Sequence, residues 1–189
     1  MICLNCYNDT NFETKKEHET IVVRGEDIEI ESEVTYCKNC NAKVWNEELD
    51  NNNLIKAYEL YKKNHGLLTS SDIKFIRENY NISQSTFSRI LGLGEKTITR
   101  YENGSIQDTA QNNLILLAKN INNFKVLFEK QKSILRPEEI AKIEEILSGR
   151  EVKLLFNNQN ATAYGIKDLF FGGFTYEEQQ RQYEFKSAV

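Results

Sequence analysis

No stretch of the chain approaches 18 consecutive apolar residues, so no membrane-spanning helix is expected. The opening "MICLNCYND" lacks the basic and apolar regions of a secretory signal. The reducing cytoplasm is therefore the expected compartment, where cysteines more often hold a metal than form disulfides. Histidine is scarce: His18 and His65 are the only two, each in a polar segment. Neither belongs to a Ser/His/Asp set and no P-loop occurs, which argues against an enzyme. An excess of positive charge is also missing, since 24 Lys and Arg face 28 Asp and Glu. That balance does not exclude nucleic acid, because a local cluster suffices to neutralise phosphates. The acidic excess lies in residues 1–68, with 8 basic against 13 acidic side chains, whereas residues 69–110 carry 5 of each.

What is present begins with cysteine. All four lie in two pairs, "CLNC" at Cys3 and Cys6 and "CKNC" at Cys37 and Cys40. Each Cys-x-x-Cys turn brings two thiolates to one side of a tight knuckle, and two knuckles supply the sulfur tetrahedron that zinc prefers. Disulfides, a redox pair and an iron–sulfur site are the competing readings. Four thiolates leave no open position for water or substrate, so a structural metal is expected, and the histidines are not needed to complete its shell. Between the pairs, β-rich runs on either side of Arg24–Gly25–Glu26–Asp27 read as a hairpin that returns the chain to the second knuckle. Trp45 is expected to pack within this module. Residues 46–64 carry a helical stripe of Leu49, Leu54, Ala57, Tyr58, Leu60 and Tyr61, with Gly66 as a stop, although Asn51–Asn53 weaken its start.

The central third breaks into three short helices. The first spans about 71–79 behind Ser70 or Ser71, and the second opens at Ser83 with Phe87, Ile90 and Leu91 inward. Gly92–Leu93–Gly94 forms the turn, and the third helix covers about 95–102 before Asn103–Gly104. Two short helices joined by a glycine-bearing turn are the helix-turn-helix arrangement, whose last helix enters the major groove. Ile98 and Tyr101 are expected inward, leaving Lys96, Thr97, Thr99 and Arg100 outside or at the margin. Lys96 and Arg100 are candidates for base contacts, Arg forking onto guanine. Ser83, Gln84 and Ser85 start a helix whose amide groups favour a phosphate.

With those residues in view, the chain resembles the MqsA-type (YgiT-type) antitoxins, which join a zinc ribbon to an Xre-like helix-turn-helix. The matching features are the four cysteines, the Arg24–Gly25 turn, Ser83–Gln84, and "TRYENG" at 99–104, spread over roughly residues 1–120. The resemblance implies a homodimer that represses its own operon at a palindromic site on double-stranded DNA. It further implies a zinc module that holds a cognate toxin, often a basic ribonuclease, which the acidic first third would suit. It carries base reading to Lys96 and Arg100; lysine at 96 stands where one member of the family has asparagine and changes the donors offered.

The expected fold is mainly α with a small β zinc ribbon. It comprises a four-cysteine zinc module at 1–45, a connecting helix and linker at 46–70, a helix-turn-helix domain at 71–120 and an α-rich C-terminal extension at 121–189. In the extension, "NNFKVLFEKQKS" and "RPEEIAKIEEILSG" read as helices, Pro137 suiting a first turn and Gly149 a stop. An apolar run at 152–156, the aromatic stretch of Leu169, Phe170, Phe171 and Phe174, and a polar helix over about 175–187 follow. That stretch is a candidate surface for dimerisation or for an effector protein. The competing functional reading is a stand-alone phage or mobile-element regulator whose extension binds such an effector.

Overall fold

A computed structural model describes residues 2–148 of the chain. The expected apolar run at 152–156, the aromatic stretch, the helix at 175–187 and the Gly149 stop lie outside the described residues. Strands β1 (Phe12–Val23) and β2 (Glu26–Cys37) pair antiparallel along their whole length, from Phe12 opposite Cys37 to Val23 opposite Glu26. Arg24 and Gly25 join them with φ of 51° and 86°. Two left-handed residues make a turn whose twist matches that of the strands, and glycine adopts such a φ without strain. Strand β3 (Lys43–Val44) adds to β2 opposite Thr35 and Tyr36, giving the order β1-β2-β3.

Alternation along β2 sorts its side chains by face. Ile28, Ile30, Val34 and Tyr36 are buried, while Asp27, Glu29 and Glu31 stand in solvent. Helix α1 (Glu47–Asn64) lies on the buried face, where Ala57 and Tyr61 pack against Val23, Ile28 and Ile30. Its start is firm: the Asn46 side chain accepts the Leu49 amide, and Glu47, Glu48 and Asp50 sit at the positive end of the helix dipole. Asn53, from the asparagine run that weakened the sequence reading, is buried and bonds the Glu33 backbone twice. Its Oδ1 accepts from Glu33 N at 3.0 Å and its Nδ2 donates to Glu33 O at 2.9 Å. One side chain thus satisfies β2 backbone groups where β3 does not reach.

The remaining helices are α2 (Ser70–Glu78), α3 (Gln84–Ile90), α4 (Thr97–Glu102), α5 (Thr109–Leu117), α6 (Ile121–Gln131) and, after a 3-10 turn, α7 (Pro137–Leu147). Thr69, rather than Ser70 or Ser71, caps α2, through a reciprocal pair of bonds with Asp72. Ser83 caps α3 by accepting the Thr86 amide, and Pro137 opens α7 as expected. Ile73, Ile76, Phe87, Ile90, Ile98, Ile115, Phe124, Phe128 and Ile143 share one core. Each contributes roughly 1.5–3 kcal/mol by leaving water. Phe124, Phe128 and Ile143 come from the segment read as an extension, and the core runs without a break across residue 120. The chain is thus mainly helical, with a small three-stranded sheet at its N-terminal end. Among the described residues no helix is long and apolar enough to cross a membrane.

Candidate metal centre and nucleic-acid interface

The two cysteine knuckles repeat one backbone design. Tyr7 N donates to Cys3 O at 2.8 Å and Cys3 N to Asn8 O at 3.0 Å; Asn41 N donates to Cys37 O at 2.8 Å and Cys37 N to Ala42 O at 3.0 Å. The residue after each second cysteine is left-handed, Tyr7 at φ 58° and Asn41 at φ 54°. The β1–β2 ladder ends at Phe12 opposite Cys37, so the hairpin brings the second knuckle back beside the first.

All four Sγ atoms lie within 4.8 Å of one another. The Cys3–Cys40 and Cys6–Cys37 separations are both 3.9 Å, far beyond a disulfide, and the cysteines are free. A tetrahedron of sulfurs about 2.3 Å from a central zinc has edges of about 3.8 Å, so the donor set fits such an ion. Two asparagines that sequence reading passed over complete the arrangement. Asn5 Nδ2 donates to Cys40 Sγ and Asn39 Nδ2 to Cys6 Sγ, each at 3.5 Å and each across to the opposite knuckle. Their signal was the repeated "NC" ending both motifs. The Asn39 donation is the largest cause holding the Cys6 thiol down, to about 6, so that cysteine is readily the thiolate that a metal requires.

Neither histidine approaches the sulfurs. His65 stacks on Tyr61 and meets Glu26 at 2.8 Å, while His18 is exposed on β1 opposite Glu31. Trp45 is a correction: it is 73% exposed rather than packed in the module. It follows a two-residue strand at the sheet edge and precedes the Asn46 cap, and no element among the described residues covers it. Ile2, Leu4 and Tyr7 of the first knuckle region are exposed as well.

In α4, Ile98 and Tyr101 are buried and Arg100 is exposed, as is Lys96 at the N-cap. Thr97 is covered, at 9% exposure, because the helix begins at that residue and its side chain turns back beside Gly94. Thr99 is half-buried and donates to Gln84 Oε1 at 2.9 Å; Gln84 Nε2 donates to Glu102 Oε2 at 2.7 Å. Arg77 of α2 then grips Glu102 with two bonds, at 2.6 and 2.9 Å. This chain fixes α3 against α4 and neutralises the one acidic residue of α4. Lys96 and Arg100 form no ion pair among the described residues. Ser83 is occupied as a cap, and Ser85 donates to Glu95 at 2.7 Å at the edge of the same face.

Among known proteins, one family model matches residues 1–132: "Antitoxin component of bacterial toxin-antitoxin system, MqsA". No curated protein matches the chain.

Proposed function

Because the chain belongs to the MqsA antitoxin family, we propose that it is a type II antitoxin that represses its own operon and neutralises a partner toxin. It acts by binding in the cytoplasm, not by catalysis. The observation that carries the DNA half is the division of α4 and its cap, with Ile98 and Tyr101 inward and Lys96 and Arg100 outward, without an ion pair among the described residues. Those two side chains read bases in the major groove, with Thr99 at the margin and Thr97 supporting the start of the helix. Ser83, Gln84 and Ser85 lie against the phosphate backbone at the start of α3.

Zinc is the ion that Cys3, Cys6, Cys37 and Cys40 hold, and it ties the base of the hairpin together. The toxin is a basic protein that docks on the N-terminal module. Support for this comes from the outward carboxylates of Asp27, Glu29 and Glu31 and from the apolar side chains of Ile2, Leu4, Tyr7 and Trp45. Exposed Leu117, Ile121 and Val126 on α5 and α6 favour a homodimer formed through the helical domain, which a palindromic operator requires.

A second reading, a stand-alone regulator with an effector-binding C-terminal region, draws on residues 133–189 lying beyond the family match. Growth decides between them. The adjacent gene of the native operon is expressed alone, with this protein, and with the Arg100→Ala variant. Arrest relieved by both versions is expected of an antitoxin; no arrest by the neighbour overturns that assignment in favour of the regulator.

A further inference from the structure

The last turn of α4 is tied to the N-terminal module at two separate points, neither of which the DNA-reading face uses. Ser105 N donates to Arg100 O at 3.0 Å and Gly104 N to Tyr101 O at 3.2 Å, which closes the helix with a Schellman motif. Gly104 has φ 109°, and a Cβ there would lie 2.9 Å from Ile55 Cγ1, so only glycine lets α1 approach this closely. The chain then enters the module: Ile106 packs with Val23, Ile28, Ile30 and Tyr61. From the hairpin turn, Arg24 donates to Ile106 O at 3.1 Å and Gln107 O at 3.5 Å, with its guanidinium over the Tyr61 ring. Gln107, fully buried, binds Leu68 O at 2.6 Å and extends the fixed segment to the linker.

The second tie runs through α1. Lys62 is a fully buried lysine whose Nζ meets Glu59 Oε1 at 2.7 Å and Ser70 Oγ at 3.0 Å. Ser70 Oγ in turn lies 2.6 Å from the Tyr101 carbonyl. A buried charge is retained only where its partners compensate desolvation, so this lysine fixes the α1 carboxylate and the hydroxyl that meets α4. The Tyr101 carbonyl is thus held by a hydroxyl that α1 side chains bond, and the Arg100 carbonyl by the amide of Ser105, next in the chain to the Ile106 that Arg24 holds.

We propose that the N-terminal module serves as a strut for the recognition helix, with Arg24 and Lys62 as positioning residues that set the orientation of Arg100. The proposal rests on α4 being the recognition helix. Neither residue touches DNA in this role. Loss of a tie loosens the helix end and weakens operator binding without removing a phosphate contact.

The test uses the full chain carrying Arg24→Gln, Arg24→Lys or Lys62→Met. Amide exchange of Gly104 and Ser105 in the free protein is expected to quicken in Arg24→Gln and Lys62→Met and to recover in Arg24→Lys. Affinity for the operon's upstream DNA is expected to fall on the order of tenfold in the first two variants. The slope of log affinity against log salt stays that of the wild type, whereas loss of a phosphate contact lowers it by about 1. Unchanged exchange, unchanged or tighter operator binding, or a reduced salt slope each overturns the strut. Failure of the wild type to bind that DNA refutes the repressor reading instead, and the exchange measurement still decides whether the ties hold the helix end.

Discussion

Glu139 in the first turn of α7 accepts a 2.6 Å hydrogen bond from the Thr86 hydroxyl in the first turn of α3. Arg89 reaches the same oxygen at 2.6 Å, and the Arg136 amide donates to the other at 3.0 Å. Burial alone would push this carboxyl up. The donations from Thr86 and Arg136, with the charge of Arg89, outweigh it and hold the group at about 2. Helix α7, outside the family-matched segment, is therefore bolted to α3 by an ionised side chain.

Acid should release that bolt in a defined window. The folded value lies below the ordinary glutamate value of 4.5, so the unfolded chain binds protons first. The stabilisation is complete above about pH 4.5 and is lost as pH falls toward about 2. Glu139→Ala leaves Arg89 unpaired and should cost about 2–3 kcal/mol at neutral pH, read from urea midpoints. The variant should also lose the acid-sensitive component between those two values, and an unaltered acid profile would count against the assignment.

Operator binding should depend on Lys96 at the start of α4 and Arg100 within it. Lys96→Ala and Arg100→Ala are each expected to cost roughly 1–3 kcal/mol in operator affinity. Both side chains are exposed and form no ion pair among the described residues, so thermal unfolding should stay within about 0.5 kcal/mol of the wild type. Titration of labelled operator, alongside melting curves, separates a recognition effect from a folding one.

The sequence announced the parts of this molecule whose chemistry is local. Cys-x-x-Cys spacing requires only two knuckles, Arg24–Gly25 only a two-residue turn, and the inward Ile98 and Tyr101 only a helical period. What it concealed depends on which element happens to lie opposite. Trp45 looked like core, but β3 is too short and α1 too far along for either to cover it. Lys62 lies outside the apolar stripe read for 46–64, yet it is enclosed where α1 meets α2. Phe124 carried no sign of its partners, because the rings that receive it, Phe87 and Tyr80, are about 40 positions earlier. Thr97 shares the helical period of an outward face, but its place at the first turn of α4 covers it.

Asn53 tests whether the sheet edge needs its side-chain clamp. Asn53→Leu keeps the helical stripe but strands the Glu33 N–H and C=O beneath α1. Two polar groups losing partners in a half-buried place should cost roughly 2–4 kcal/mol. The unfolding midpoint measures the cost, and amide exchange at Glu33 should quicken well before that of its β1-facing neighbours. A variant as stable as the wild type would mean that water replaces the amide without penalty.

Metal content and its pH dependence probe the knuckles. About one zinc per chain is expected, and sulfide released together with iron on acidification would indicate a cluster instead. Chelation should abolish the strand signal in circular dichroism while helices α2 to α7 persist, because their shared core takes no side chain from the hairpin, whereas α1 packs on it. Asn39→Ala removes the donor that most lowers the Cys6 thiol, so its pKa rises and protons compete better with the ion. Affinity should drop on the order of tenfold and the midpoint for metal release should move to higher pH. Asn5→Ala, acting on Cys40 from the other knuckle, should weaken binding in the same direction, since the two amides are related by the repeat of the motif. If neither substitution shifts the release curve, the asparagines serve the turns alone and the sulfurs set their own basicity.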